Sequence, residues 1–155
     1  MKLNRYLLAA TIFLTYFSLA AYAQEAPPKV VRIYKSDKTG KTPSRQIFAG
    51  LVNMGQIYDE PGSNCEQFLG LVKVEGIQFS SSGGTLESFR FSDNKGAVWS
   101  VPTNIGALSN VDRQEANSFI KVGKTYYAHI QACGSGGFAN LISLYDARIS
   151  FGAFY

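Results

Sequence analysis

The 155-residue chain carries 15 lysines and arginines against 11 aspartates and glutamates, a formal net charge of +4, and 46% of its residues are hydrophobic. That is enough apolar material for one packed core, in a chain too short for two comfortable domains. With 2 cysteines and 1 histidine it lacks the clustered ligands of a metal site, and its charge excess falls short of the strongly basic surface that would suggest nucleic acid.

The N-terminus reads Met-Lys-Leu-Asn-Arg, then an apolar run over residues 6–21, then Ala21-Tyr22-Ala23. A basic head, a hydrophobic middle and a small-x-small site predict a secretory signal peptide over 1–23. The run is shorter than the roughly 20 apolar residues of a spanning helix, and no cysteine follows it to carry a lipid. The expectation is a mature single β-barrel-like domain over 24–155, periplasmic or secreted, with no stable membrane insertion after cleavage. Cleavage removes Lys2 and Arg5 and no acid, so the mature chain is closer to neutral. In an oxidising compartment Cys65 and Cys133 are expected to pair.

Residues 29–36 (KVVRIYKS) are β-branched and aromatic enough for a strand, and the basic stretch 35–45 that follows reads as a solvated loop. Within it Thr39-Gly40-Lys41-Thr42 ends like a phosphate loop, but that motif needs glycine five positions before Gly40, where Lys35 stands. Residues 46–58 (QIFAGLVNMGQIY) read as one long curved strand with glycines at a bulge or bend. Residues 59–64 (DEPGSN) are a turn by composition, and 68–79 alternate with the period 2 of another strand.

Residues 86–92 and 97–101 flank Asp93-Asn94-Lys95-Gly96, a hairpin signal. Phe89, Phe91 and Trp99 alternate on it and read first as core. Ser109 three residues before Asp112 has capping-box spacing, and Val111, Ala116, Phe119 and Ile120 recur at roughly helical intervals, predicting one short helix. Residues 125–132 and 138–151 are again strand-like, joined by Cys133-Gly-Ser-Gly-Gly137. His129 lies four residues from Cys133. On a strand that is about 13 Å at roughly 3.3 Å per residue, too far for a base and its nucleophile. Asp59 with Glu60, and Asp112 with Glu115, read as a turn and a helix start.

The resulting order predicts a mostly β fold, a small OB-like barrel of five to seven strands with one short helix before the last two, with an open sandwich carrying a helix on one edge as the alternative. The stretch 116–145, with its helix end, Val122-Gly123-Lys124, a strand, Cys133-Gly134-Ser135-Gly136-Gly137 and another apolar strand, resembles small exported bacterial single-disulfide OB-like domains of unknown function. More distantly it is similar to the B subunits of pentameric A-B toxins. That resemblance implies the same barrel and a cell-surface glycan as ligand, and it transfers no individual contact residue.

Barrels of this type bind ligands with the face of their second and third strands and with two loops, here residues 59–66 and 133–137, each holding one cysteine. The disulfide is expected to fasten them into a rigid rim beside Tyr58, Arg90, Trp99 and Phe138, ordered in advance of binding. The functional expectation is an exported non-enzymatic binding module for a glycan or a protein, with no catalytic residue and no cofactor. The alternatives are a periplasmic inhibitor or immunity-type protein, and a small outer-membrane β-barrel suggested by the alternating strands and the aromatic end 149–155. The last requires at least eight strands of about 9 to 11 residues.

Overall fold

A computed structural model describes residues 26–35, 45–59, 62–134 and 138–148. The segment 1–23 expected to be a signal peptide, most of the basic loop and the end of the chain lie outside them. Among the described residues eight strands form two antiparallel sheets, joined by one α-helix: β1 Lys29–Lys35, β2 Arg45–Val52, β3 Cys65–Lys73, β4 Gly76–Phe79, β5 Leu86–Ser92, β6 Val98–Pro102, α1 Asn110–Phe119, β7 Thr125–Cys133 and β8 Phe138–Asp146. The first sheet has the order β1-β2-β8-β7-β3 and the second β4-β5-β6. The mostly β expectation holds, and the helix does precede the last two strands. Among the described residues the strands do not close into a barrel: β6 runs beside β8, but no ladder joins them.

Two expected strands prove to be broken, each for a visible reason. The long strand over 46–58 stops at Val52 because Asn53 takes a left-handed conformation, φ 57°, which asparagine tolerates better than most residues. The chain then crosses over β8 and β7. Met54 N–H donates to the Ile142 carbonyl at 3.0 Å, Asn140 Nδ2 donates to the Gln56 carbonyl at 2.7 Å, and Gln131 exchanges two 2.8 Å bonds with the backbone of Tyr58. Gln131 and Asn140 are buried and stand opposite each other in the β7–β8 register. Their amides thus take the place of a strand partner for the crossing segment. Gly55 is required by close approach: a Cβ there would lie 2.1 Å from Asn140 Oδ1.

The alternating stretch 68–79 is divided between the sheets at Val74 and Glu75. Val74 still bonds to residues 123 and 124 beside β7, whereas Glu75 N–H already donates to the Arg90 carbonyl of β5 at 2.8 Å. One extended run therefore supplies β3 to the first sheet and β4 to the second, and its alternation changes phase at the switch. Val72 and Val74 face the core before it and Ile77 after it, while Gly76 lies under Arg90.

The core lies between the sheets and under α1. Phe89 and Phe91 of β5, Leu51, Leu141 and Leu144 of the first sheet, and Ile105 and Ile120 around the helix are all essentially inaccessible. Truncating either phenylalanine to alanine costs about 3–5 kcal/mol at such sites. The β5–β6 hairpin forms with Phe89 opposite Val101 and Phe91 opposite Trp99. Its turn is closed by Asp93, whose carboxylate accepts from Lys95 and Ala97 N–H at 2.9 Å and from Trp99 Nε1 at 3.0 Å, with Gly96 at φ 81°.

Helix α1 starts at the predicted cap, where Ser109 Oγ accepts from Asp112 N–H at 3.2 Å. Ala116 and Phe119 are buried, but Val111, expected on the same face, points to solvent. Asn117 ties the helix to the second sheet by accepting from Leu86 N–H at 2.8 Å and donating to the Gly84 carbonyl at 2.9 Å. Arg32 of β1 ties it to the first sheet through Asp112 and through Glu115 at 3.1 Å.

Candidate functional site

The disulfide between Cys65 and Cys133 is present, but its place differs from the expected clasp of two loops. Cys65 opens β3, Cys133 closes β7, and the two are directly opposite in the antiparallel register. The bond joins neighbours that the ladder already aligns. The four residues expected around it do not assemble on one surface. Tyr58 reaches the disulfide end of β7 through Gln131 and is exposed. Phe138 pairs with Cys133 along the backbone, and its side chain lies outside the described residues. Arg90 and Trp99 sit on opposite faces of the second sheet, because Trp99 opposes the buried Phe91 while Arg90 opposes Ser100. Trp99 packs against Phe68 and Phe91 at centroid distances of 6.2 and 6.1 Å. Arg90 lies over Gly76 on the solvent side.

His129 Nε2 meets Gln67 Oε1 at 2.7 Å, and partial burial holds its pKa below the ordinary value. Cys133 has no thiol to pair with it. Among the described residues, no three His, Cys, Asp or Glu side chains converge as a metal site would need.

A concave site lies elsewhere, between α1, the middle of β2, the start of β7 and the end of β8. It has a volume of about 560 Å³ and is lined by Phe48, Glu115, Ser118, Phe119, Lys121, Lys124, Asp146 and Arg148. That volume falls within the range of small-ligand sites. Phe48 and Phe119 meet edge to face at 4.1 Å between centroids and form its apolar floor.

Asp146 organises the polar wall. It ends β8 opposite Tyr126 and is 1% exposed, so its charge must be matched locally. Arg148 supplies two bonds, Nε at 2.9 Å and Nη2 at 2.6 Å, and Lys124 Nζ a third contact at 3.0 Å. The Arg148 guanidinium, more than any other group, holds the Asp146 carboxyl well below the usual carboxylate range. The Lys124 ammonium also lies 4.9 Å from the Phe119 ring centroid and 5.2 Å from that of Tyr126.

Beneath the wall the Tyr126 hydroxyl donates to the Phe119 carbonyl and accepts from Lys121 N–H at 2.9 Å, which closes the last turn of α1. Burial pushes the Tyr126 pKa up to about 12. The second acid, Glu115, is paired with Arg32. Both carboxylates of the lining are thus already engaged, while Lys121 stands exposed at the rim. None of these residues stands out in the sequence. The only periodic hint is the pair Lys124-x-Tyr126 and Asp146-x-Arg148 at facing strand ends.

Comparison with known proteins finds no matching family model, no matching curated protein and no matching solved structure.

Proposed function

We propose that this is an exported, non-enzymatic binding module whose ligand seat is the pocket between α1 and β8. The observation that carries the reading is the pairing of a two-ring apolar floor with cations that Asp146 holds in place. Apolar bodies with a few convergent polar groups are what ligand sites use for affinity and orientation, and groups fixed in advance lose less entropy on binding. The pocket is of a size for a projecting group such as a sugar unit, which favours a glycan over the surface of a folded partner.

The element order supports an opened OB-like arrangement as the finer architecture. The β3–β4 run is shared by both sheets, β5 and β6 follow, and α1 precedes β7 and β8, with β1 and β2 as an added hairpin. Export is supported by the signal-like N-terminus and the disulfide. The test is a glycan array probed with wild type and with Lys121→Ala and Phe48→Ala variants. Specific binding lost in both is expected; specific binding unchanged in both removes the pocket as the seat.

A second reading, an inhibitor or immunity-type protein, is favoured by one observation. Leu69 and Leu71 are 61% and 65% exposed on the solvent face of the edge strand β3, where neighbouring apolar side chains suit a protein surface. Leu69→Ser with Leu71→Ser, assayed beside the pocket variants, separates the two faces.

A further inference from the structure

We infer that the pocket selects an anionic sugar: a pyranose ring carrying a carboxylate, with the ring against Phe48 and the charge toward Lys121, Lys124 and Arg148. The inference rests on the reading of this pocket as a glycan seat and adds the charge of the ligand.

It follows from what an entering group would meet. Three cationic side chains line the pocket against two carboxylates. Glu115 is bound at 3.1 Å by Arg32 from outside the lining, a guanidinium it shares with Asp112, so it keeps part of its charge. The cationic excess rests on Lys121, Lys124 and Arg148 against Asp146. Asp146 is nine-tenths and more buried and faces two cations rather than one. Its single charge therefore leaves cationic excess at the mouth, to which exposed Lys121 adds. A neutral ligand would leave this excess facing solvent, and a cationic one would be repelled by it.

The helix terminus acts in the opposite sense, because carbonyl groups at the end of α1 carry partial negative charge. Two of them are already used. The Phe119 carbonyl accepts from the Tyr126 hydroxyl and the Ala116 carbonyl from Ile120 N–H, so little of that end is left to oppose an anion. Position is also fixed: Lys124 is held between Asp146 and two aromatic rings, and Arg148 is bidentate on the same carboxylate. Charges placed beforehand recognise an anion without the ordering cost of free side chains.

The experiment titrates the isotope-labelled mature protein with glucuronate, glucose and glucosamine at low salt and follows the backbone amides of residues 118–124 and 146–148 by NMR. These probes share a ring and differ in charge. Glucuronate is expected to shift those amides at least about tenfold more tightly than glucose. Added salt should weaken it, and Lys121→Ala should weaken glucuronate alone. Lys121 has an exposed side chain whose backbone contact to Tyr126 survives substitution, so the variant keeps its fold, and an unchanged spectrum without ligand confirms that.

Equal or tighter binding of glucose or glucosamine at these amides overturns the charge assignment and leaves the glycan seat standing. A short peptide of Phe and Asp that binds there in preference to glucuronate overturns the sugar assignment in favour of a protein ligand. If none of the probes moves these amides, the seat falls together with the inference.

Discussion

Strand β7 is secured at both ends, and by opposite means. At Cys133 a covalent bond meets Cys65, the last pair of a β3–β7 ladder that runs without interruption from Lys73. At Tyr126, opposite Val72 in the same ladder, there is no bond of that kind; what is added is Asp146, Lys124, Arg148 and a buried hydroxyl. The ladder fixes the first end whether or not the sulfurs are joined, so the disulfide acts on the unfolded chain by linking points 68 residues apart. The second end lies in the same ladder, but what is added to it acts within the folded state itself, where the placement of each polar group matters. The pocket has formed at the second end, where the fixed charges are.

The largest expected effect is at the covalent end. Cys65→Ser with Cys133→Ser should lower unfolding stability by about 4 kcal/mol, read from the urea midpoint. Cross-strand amide contacts between β3 and β7 should persist in the folded fraction by NMR. Their disappearance would show that the bond shapes the native sheet rather than the unfolded ensemble, and the contrast between the two ends would collapse.

At the polar end Asp146→Asn keeps the shape and removes the charge that Lys124 and Arg148 share. Breaking a buried pair costs about 3–5 kcal/mol. Here both cations reach solvent, Arg148 with its side chain 74% exposed, so a loss of about 2 kcal/mol is expected. A change below about 0.5 kcal/mol would mean that Asp146 is solvated and organises nothing.

The same residue sets a pH dependence. Asp146 binds its proton more weakly when folded than when unfolded, so its contribution is complete above the ordinary carboxylate value of about 4 and is lost as pH falls below it. Asp112, held down chiefly by Arg32, acts in the same direction. His129, whose pKa burial lowers, begins the decline from about 6.5. Urea midpoints measured from neutral pH to about pH 3 should therefore fall, and Asp146→Asn should flatten the lower part of that curve only. A midpoint that rises on acidification would contradict the sign.

How much of this could be read from the sequence follows the range of the interactions. The β5–β6 hairpin and the Ser109 cap were legible because Asp93, Gly96, Ser109 and Asp112 act within a few residues of one another. The switch at Val74 and Glu75 was not, since strand-like composition runs on through it while the hydrogen-bond partners change sheets and the inward face passes from Val72 and Val74 to Ile77. The stop at Asn53 was hidden because the apolar run goes on to Tyr58, and only the amides of Asn140 and Gln131, more than seventy residues away, explain where that run goes. The pairing of the cysteines follows from the compartment that the N-terminus leads one to expect. Their position in one ladder required a register that no composition reveals. The pocket was invisible for the same reason: Asp146 looks like any polar residue at a strand end until its register places it opposite Tyr126 and within reach of Lys124.

The smallest expected effect is also the most local. Tyr126→Phe keeps the ring against Phe119, centroids 5.0 Å apart, and removes a hydroxyl that donates to the Phe119 carbonyl and accepts from Lys121 N–H. Because burial raises its pKa to about 12, that hydroxyl stays protonated across the working pH range and serves as donor throughout. Its loss leaves one carbonyl and one N–H at the end of α1 without their partner, a cost of about 1–2 kcal/mol. Hydrogen exchange should quicken over residues 119–124, where the helix hands over to β7, and stay unchanged over 130–133 beside the disulfide. Equal quickening at both ends would mean that β7 opens as one unit, so that the covalent staple and the polar network hold a single cooperative element rather than two separable anchors.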